Sequence, residues 1–565
     1  MEAQDRLRLA DDFWFAPKSV RPARGLELVP TSGQVWEYVR GIILSDSLIY
    51  EADRCAQAHR FFHRPIEFPD IMAKGGFDIV IGTPPWERVK LQEEEFFGGP
   101  APEISNGRAG LILPNGLVTG YTYREFLSHL LSTKTLASFF GFENEDKIFK
   151  SVHNETKFGL LTVAGGRHPI EQPWFTAHLR QPKQIAEPER RYELTIDEIE
   201  ALNPNTLNLA ALRWTKDAAV TAAIHKAAPV LIRKHPDDRE ENPWQVHFKT
   251  LFHMAGASGD FLDHQDIAPL IVERRGALAI LEDGRQVYPL YEGKMFWHFD
   301  HRYGTYEGQT EKQANKGVLP RVSNAKHDNP GYRIEPRYWI NSKLTYEAIG
   351  EDSGASWFFS WRHVGISERT FIGTIIPKTA SGDKSPVLLS ALPAKSVAAL
   401  VGILGALVTD YAVRQQAMNV KFYVMEQIPV ISPTSLEETP LWFGRIAEEW
   451  LGDRVFELCY TNEELATFAT DLGRDHPPFY WNPDRRVLLQ AEIDAAVLHL
   501  HGLSRTQAEW LLDTFTVLRK YEERDLNEFR TKRVVLEIYD EMAAAKQAGR
   551  AYQTRLNPVP ADPSC

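Results

Sequence analysis

The apolar run Phe77-Asp78-Ile79-Val80-Ile81 is closed by Gly82-Thr83-Pro84-Pro85-Trp86. Its length and β-branched content are those of a short buried strand. Two consecutive prolines fix φ and remove two backbone donors, so the strand cannot continue past them. The turn they force presents Trp86 at the strand's carboxyl end. In open α/β sheets that end is where ligands bind.

From Phe77 to Gly166 the pattern remains α/β. Ala109-Gly110-Leu111-Ile112-Leu113 reads as a second strand stopped by Pro114-Asn115-Gly116, and a helix follows around Tyr123 to Leu131. Two further strands are predicted at Leu136 to Phe140 and Lys157 to Val163. Strands alternating with helices point to a doubly wound sheet, here a partial one. From Arg167 the texture changes to a mixed α+β region rich in Trp, Tyr, Arg and Pro. Helical patches are predicted there at Asp217 to Ile232 and Ser396 to Gln416.

The C-terminal part is helical. Asn482 caps a predicted helix with Pro483 at its first position. Leu489, Ile493, Ala496, Val497 and Leu500 follow at helical spacing, and Gly502 ends the run. Ser504 and Gln507 form a capping-box pair for the next helix. A last helix carries Val535, Ile538, Tyr539 and Met542 on one face. The proline-rich stretch Asn557 to Pro563 is expected to be disordered.

The chain has 565 residues, 43% of them hydrophobic and 25% charged, enough for two to four soluble domains. No apolar run approaches the roughly 18 residues that span a bilayer. The cysteines, Cys55, Cys459 and Cys565, are far apart, so a disulfide framework or zinc site is not expected and a reducing cytoplasm is the expected compartment. A net charge of −12 argues against nonspecific coating of nucleic acid. It leaves sequence-specific binding open, because phosphate contacts need only a local basic surface.

The stretch from Glu67-Phe68-Pro69 through Gly82-Thr83-Pro84-Pro85 to Trp86-Glu87-Arg88-Val89-Lys90 resembles the large adenine-specific (N6) DNA methyltransferases of type IIG restriction–modification and related phage-defence systems. Gly107 to Pro114 resembles that family's next strand. Phe142-Glu143-Asn144, Ile148-Phe149 and Lys157-Phe158 resemble its last strand pair. Leu202 to Thr206, Tyr291 to Lys294, Phe299 to Arg302, Trp361-Arg362, Glu368 to Thr370 and Glu426 to Pro429 are similar to its target-recognition region. Phe529 to Arg533 fits its C-terminal part. The similarity runs from about residue 60 to 546.

The resemblance implies a partial methyltransferase catalytic domain over residues 1–166, a DNA-reading domain over 167–435, and a helical domain with a disordered tail over 436–565. It implies double-stranded DNA as partner and S-adenosylmethionine as methyl donor. The family's donor loop, a Gly-containing turn ahead of the Pro-Pro strand, has no counterpart in residues 1–76, so the chain looks truncated and binding of the donor by this chain alone is not expected. A separate chain carrying the methyl-donor half is the expected partner. No metal site is implied.

In the family, an Asn side-chain carbonyl and the first proline's backbone carbonyl each accept one hydrogen of the adenine amine. That draws the nitrogen lone pair out of the ring, while the aromatic residue stacks on the extruded base, a contact worth ~1–3 kcal/mol. Extruding the base costs a few kcal/mol. Carried over, the catalytic positions are Thr83, Pro84, Pro85 and Trp86. Pro84 keeps its carbonyl and Trp86 its stacking face. Thr83 replaces the Asn with a shorter, β-branched hydroxyl that also donates, a loss on the order of 3–4 kcal/mol of transition-state stabilisation.

Candidate DNA contacts are Arg321, Lys326, Arg333 and Arg337, interleaved with Tyr332, Tyr338 and Trp339. The alternative for these is a solvated face with ordinary salt bridges. Arg362 and Arg369 carry forks that match guanine's two acceptors, or pair structurally with Glu368 or Asp352. His298 with His301, and His499 with His501, read as structural pairs. Arg530, Lys532 and Arg533 either touch phosphate or face solvent. Three functions stay open: a methyltransferase working with a partner, a catalytically inactive DNA-recognition protein, and a structural subunit.

Overall fold

The computed structural model describes residues 69–72, 77–82, 107–119, 124–165, 169–235, 237–350, 354–366, 368–416, 419–438, 440 and 442–565. The chain is mixed α/β with several sheets. It divides into two compact units, Met1–Ala186 with Glu193–Ile196, and Glu187–Tyr192 with Asp197–Cys565.

In the first unit the strands are β1 (Ile79–Gly82), β2 (Arg108–Pro114), β3 (Leu136–Glu143), β4 (Lys157–Ala164) and β5 (Trp174–Leu179), standing in the order β1-β2-β4-β3-β5. Helix α1 (Arg124–Ser132) buries Leu127, Leu130 and Leu131. β1 runs parallel to β2 and β3 parallel to β5, as a doubly wound sheet requires. β4 departs from that expectation and is antiparallel to both neighbours.

The reason lies in the link after β3. A parallel return needs a long crossover, usually a helix. Here the chain turns back on buried Asn144, whose amide donates to the carbonyls of Phe149, Val152 and His153 at 2.9, 3.0 and 3.2 Å. Its side-chain oxygen accepts from Phe149 N at 2.9 Å. One asparagine thus ties the loop into a compact turn, and the antiparallel hairpin follows. The unit also extends past Gly166, because β5 adds to the sheet beside β3.

Among its described residues the second unit contains α2 (Thr215–Ala227), a two-stranded pairing of Arg233–Lys234 with Glu240–Glu241, and two larger, mainly antiparallel sheets. One is built from β6 (Val246–Lys249), the other from β7 (Leu262–Asp263), β8 (Ile271–Arg275), β9 (Leu278–Leu281), β10 (Gln286–Tyr291) and β11 (Tyr338–Asn341). β12 (Trp357–Trp361), β13 (Gly373–Pro377) and β14 (Val387–Ser390) join β6 in the order β13-β12-β14-β6. The second sheet has the order β7-β11-β10-β9-β8.

The longer helices of the unit's C-terminal part are α3 (Ala394–Gly405), α4 (Leu407–Gln416), α5 (Ala447–Cys459), α6 (Pro483–Leu500), α7 (Arg505–Asp513), α8 (Thr516–Leu526) and α9 (Arg530–Gln547). Asn482 caps α6, accepting from Arg485 N at 3.0 Å. Gly502, with φ of +64°, follows its end. Ser504 and Gln507 exchange capping bonds of 3.3 and 2.9 Å at the start of α7. One cluster of buried side chains runs from Val220 to Ala561, so the expected recognition region and the helical region share a core.

Two expectations are corrected here. The helical patch Ser396 to Gln416 is two helices, bent by 63°. Ala406 between them is extended, and Asp494 of α6 accepts from Leu407 N at 2.7 Å, capping the second helix from a distant part of the chain. The proline-rich tail, expected to be disordered, is packed. Tyr552, Leu556 and Ala561 are buried, Arg485 donates to Pro558 O at 2.8 Å, and Ala561 N donates to Glu457 at 2.9 Å. Buried apolar side chains and charged partners on α5 and α6 outweigh the tail's disorder-prone composition. Among the described residues no single helix is long and apolar enough to cross a membrane.

Asp494 carries a testable consequence. Burial raises its carboxyl to about 7, above the ordinary ~3.9 of an unfolded chain. Stability from the neutral form is therefore fully present below that ordinary value and is lost as pH rises through about 7. Asp494→Asn keeps an acceptor for Leu407 N and has no charge to desolvate. It is expected to be more stable than the parent by on the order of 2 kcal/mol at alkaline pH, with no gain in acid. Thermal unfolding at both pH values checks this, and an equal difference at both would refute it.

Candidate nucleic-acid interface

Thr83, Pro84, Pro85 and Trp86 lie outside the described residues, immediately after β1 ends at Gly82. The six predicted DNA-contact residues all fall in the second unit, and the structure separates them into distinct roles.

Lys326 is bound to Glu307 at 2.6 Å and lies 4.9 Å from the centre of the Tyr332 ring. Arg333 is partly buried, 3.6 Å from the buried Glu464. Both therefore match the salt-bridge alternative. Arg369 donates inward to Gly405 O at 2.7 Å and stands 3.5 Å from buried Asp410, while Asp352 lies outside the described residues. Arg321 and Arg337 are exposed, with guanidinium groups over Tyr303 at 5.3 Å and Tyr338 at 4.9 Å. Neither makes a side-chain hydrogen bond or ion pair among the described residues.

Arg362 differs from all of these. In β12, Trp361 is fully buried with its indole donating to Val420 O at 2.8 Å. Side chains alternate along a strand, so the next residue faces away from that partner. The Arg362 guanidinium lies 4.9 Å from Trp297, 5.8 Å from Tyr303 and 5.9 Å from Phe296, ring to charge. Trp297 and Tyr303 are themselves stacked, centroids 5.1 Å apart. Nε donates to Phe296 O at 3.2 Å, and Nη2 donates to the same carbonyl. No carboxylate among the described residues lies within ion-pair distance. Burial pushes this guanidinium down to about 10, the direction expected for a desolvated cation without a counter-charge.

Arg362 lines a groove of about 270 Å³ with Lys294, Lys384, Glu292, Asp383 and Met254. Three strand ends build it. Lys294 follows β10, Arg362 follows β12, and Lys384 lies in the turn before β14. The turns are tied together by His363 N to Lys384 O at 3.0 Å and Gly382 N to Tyr291 O at 2.9 Å. Gly293 permits this approach, since a Cβ there would stand 3.0 Å from Lys384 O and 3.4 Å from Arg362 Cγ. Lys294 is 3.3 Å from Glu292 and Lys384 is 3.0 Å from Asp383. The lysines are thus paired with acids, and Arg362 is the unpaired charge of the groove.

Of these residues the sequence singled out Arg362 as a DNA contact and placed Lys294 within the stretch Tyr291 to Lys294 that resembles the recognition region. Lys384 gave no local signal, and the convergence of the three was not legible because strand ends far apart in the chain bring them together. The histidine pairs are built into packing. Burial holds His301 down at about 3, and His298 well below the usual imidazole range. His499 stacks on Tyr539 at 3.9 Å and bonds its carbonyl at 2.9 Å, while His501 Nδ1 bonds Val497 O at 2.9 Å. Among the described residues no group of three His, Cys, Asp or Glu side chains is placed to hold a metal. At the start of α9, Lys532 is 2.8 Å from Asp513 and Arg533 2.8 Å from Glu528, so both charges are internally matched.

No protein-family model matches the chain, and no curated protein does. Similarity is found to solved structures. The type IIL restriction-modification enzyme MmeI in complex with DNA is 10% identical, over 78% of this chain and 57% of that one, with a TM-score of 0.35. A methyltransferase subunit of the type I restriction-modification system from Streptococcus thermophilus is 14% identical over 24% and 39%, with a TM-score of 0.20. The type IIG restriction endonuclease BpuSI is 9% identical over 70% and 47%, with a TM-score of 0.19. The chain spans 39% to 57% of the length of these three structures.

Proposed function

We propose that the chain is an adenine-N6 DNA methyltransferase-family protein of a restriction–modification or phage-defence system, contacting double-stranded DNA through the Arg362 face of its second unit. The resemblance of the Thr83-Pro84-Pro85-Trp86 stretch and of the segments downstream supports the family. The observation that carries DNA contact is Arg362, a half-buried cation over Trp297 with no carboxylate at ion-pair distance among the described residues, lining an open groove with two lysines. A buried charge left uncompensated is costly, and an anion arriving from outside removes that cost. In this reading a second chain supplies S-adenosylmethionine.

Thr83 favours a second reading, a catalytically inactive recognition protein. Its hydroxyl has neither the reach nor the pure acceptor character of the amide that activates adenine's amine. Fluorescence anisotropy with short labelled duplexes at low salt, run beside a methylation assay, separates the two. Sequence-selective binding with no methyl transfer in any partner's presence selects the second reading. The absence of any duplex binding at about 50 mM salt, where phosphate contacts are strong, removes both.

A further inference from the structure

The groove beneath Arg362 holds a charge that no carboxylate among the described residues pairs with. Its lysines are matched by Glu292 and Asp383 at 3.3 and 3.0 Å. Arg362 is held instead by ring faces and by one carbonyl, Phe296 O, which takes both Nε and Nη2. A carbonyl and aromatic faces orient a guanidinium, yet they leave its full charge in place. A base edge is neutral, and the positive charge left over after Glu292 and Asp383 would add little to its recognition. A phosphate is anionic, and ammonium groups serve it well as point charges. With one side of the Arg362 fork already occupied, only the end of the guanidinium is left for a ligand.

Arg321 and Arg337 stand in contrast. Both are exposed, both lie over tyrosine rings, and neither fork makes a hydrogen bond or ion pair among the described residues. Those are the conditions for bidentate contact with a purine edge.

We infer that the groove of Arg362, Lys294 and Lys384 is an anion site that grips a backbone phosphate, and that Arg321 and Arg337 are the arginines left to read bases. The inference rests on the DNA-binding reading above and divides its labour. Affinity belongs to the groove, and sequence preference to the two exposed forks.

The test uses the full chain, its Arg362→Ala variant and Lys384→Glu. Lys384 is 65% exposed, so its variant should fold even if loss of Arg362 perturbs packing. Each protein is titrated with duplex DNA between about 50 and 200 mM salt, and a randomised duplex pool is selected and sequenced. Arg362→Ala and Lys384→Glu are expected to weaken binding about tenfold on every sequence. Each should make the logarithmic salt slope shallower by roughly one, with the selected profile unchanged. Arg337→Ala is expected to relax the profile at one position.

A changed profile in Arg362→Ala or Lys384→Glu would make the groove a base reader and overturn the assignment. Unchanged affinity and slope in both would overturn it equally. If the parent binds no duplex, the DNA reading fails on its own, and calorimetry with inorganic pyrophosphate decides the groove. Heat in the parent that is lost in Lys384→Glu keeps the anion site, and no heat in the parent removes it.

Discussion

Replacing Glu492 with Ala is expected to destabilise the second unit by ~3–5 kcal/mol, enough to consume much of a domain's stability. Glu492 on α6 is fully buried and faces Arg454 on α5, 3% exposed, at 2.6 Å. Its other oxygen accepts from Tyr552 Oη at 3.0 Å and Thr554 Oγ1 at 2.5 Å. The carboxylate therefore ties two helices and the C-terminal tail to one point. Truncation leaves the guanidinium charge in the core and orphans two hydroxyls at once. Glu492→Gln keeps acceptor and shape and should cost less. The pair Arg454→Met with Glu492→Leu should recover part of the loss, because removing both buried charges also removes their desolvation cost. Urea unfolding of the four proteins measures this through the midpoint at constant m. A double variant no more stable than Glu492→Ala would mean the pair stabilises by its charge interaction and not merely by mutual satisfaction.

The same cluster marks where sequence reading succeeds and where it stops. Asn482, Ser504 with Gln507, and Gly502 were legible because capping is settled within four residues of chain. Strands β1 to β4 of the first unit were legible for the same reason, since apolar runs bounded by Pro, Asn and Gly carry their own limits, whereas β5, past Gly166, was not. Asp494 capping α4, the tail's anchorage on Glu457 and Glu492, and the convergence of Lys294, Arg362 and Lys384 all depend on partners tens to hundreds of positions away. Nothing local distinguishes Arg362, which has no carboxylate at ion-pair distance among the described residues, from Arg369, which lies beside Asp410. From sequence both stood equally as guanine forks or as structural pairs. Only the fold shows that one is spent on the core and the other is left unpaired. Asn144 is the intermediate case: its residue type was visible, but its three carbonyl partners, and hence the antiparallel return of β4, were not.

Introducing Asn at position 83 is expected to leave the isolated chain without detectable adenine methylation. Added to a chain that supplies the methyl donor, the same variant should act about 10²–10³-fold faster than the parent. The magnitude follows from the contact restored. An amide oxygen accepting one hydrogen of the adenine amine, opposite the Pro84 carbonyl, stabilises the transition state by on the order of 3–4 kcal/mol where such a group is positioned beforehand, and each 1.36 kcal/mol is roughly a factor of ten. Under the proposed function Trp86 and Pro84 would supply stacking and the second acceptor in both proteins, so the comparison isolates one hydrogen bond. Thr83→Val is the matched control, since it keeps the β-branched shape and removes the hydroxyl. If Thr83→Val equals the parent, the threonine hydroxyl contributes nothing to the reaction. The measurement is transfer of labelled methyl groups from S-adenosylmethionine to duplex DNA, followed by nucleoside analysis for N6-methyladenine. Transfer by Thr83→Asn alone would show that this chain holds its own donor, and would sink the two-chain reading. An unchanged rate in the presence of the second chain would instead show that position 83 does not face the amine.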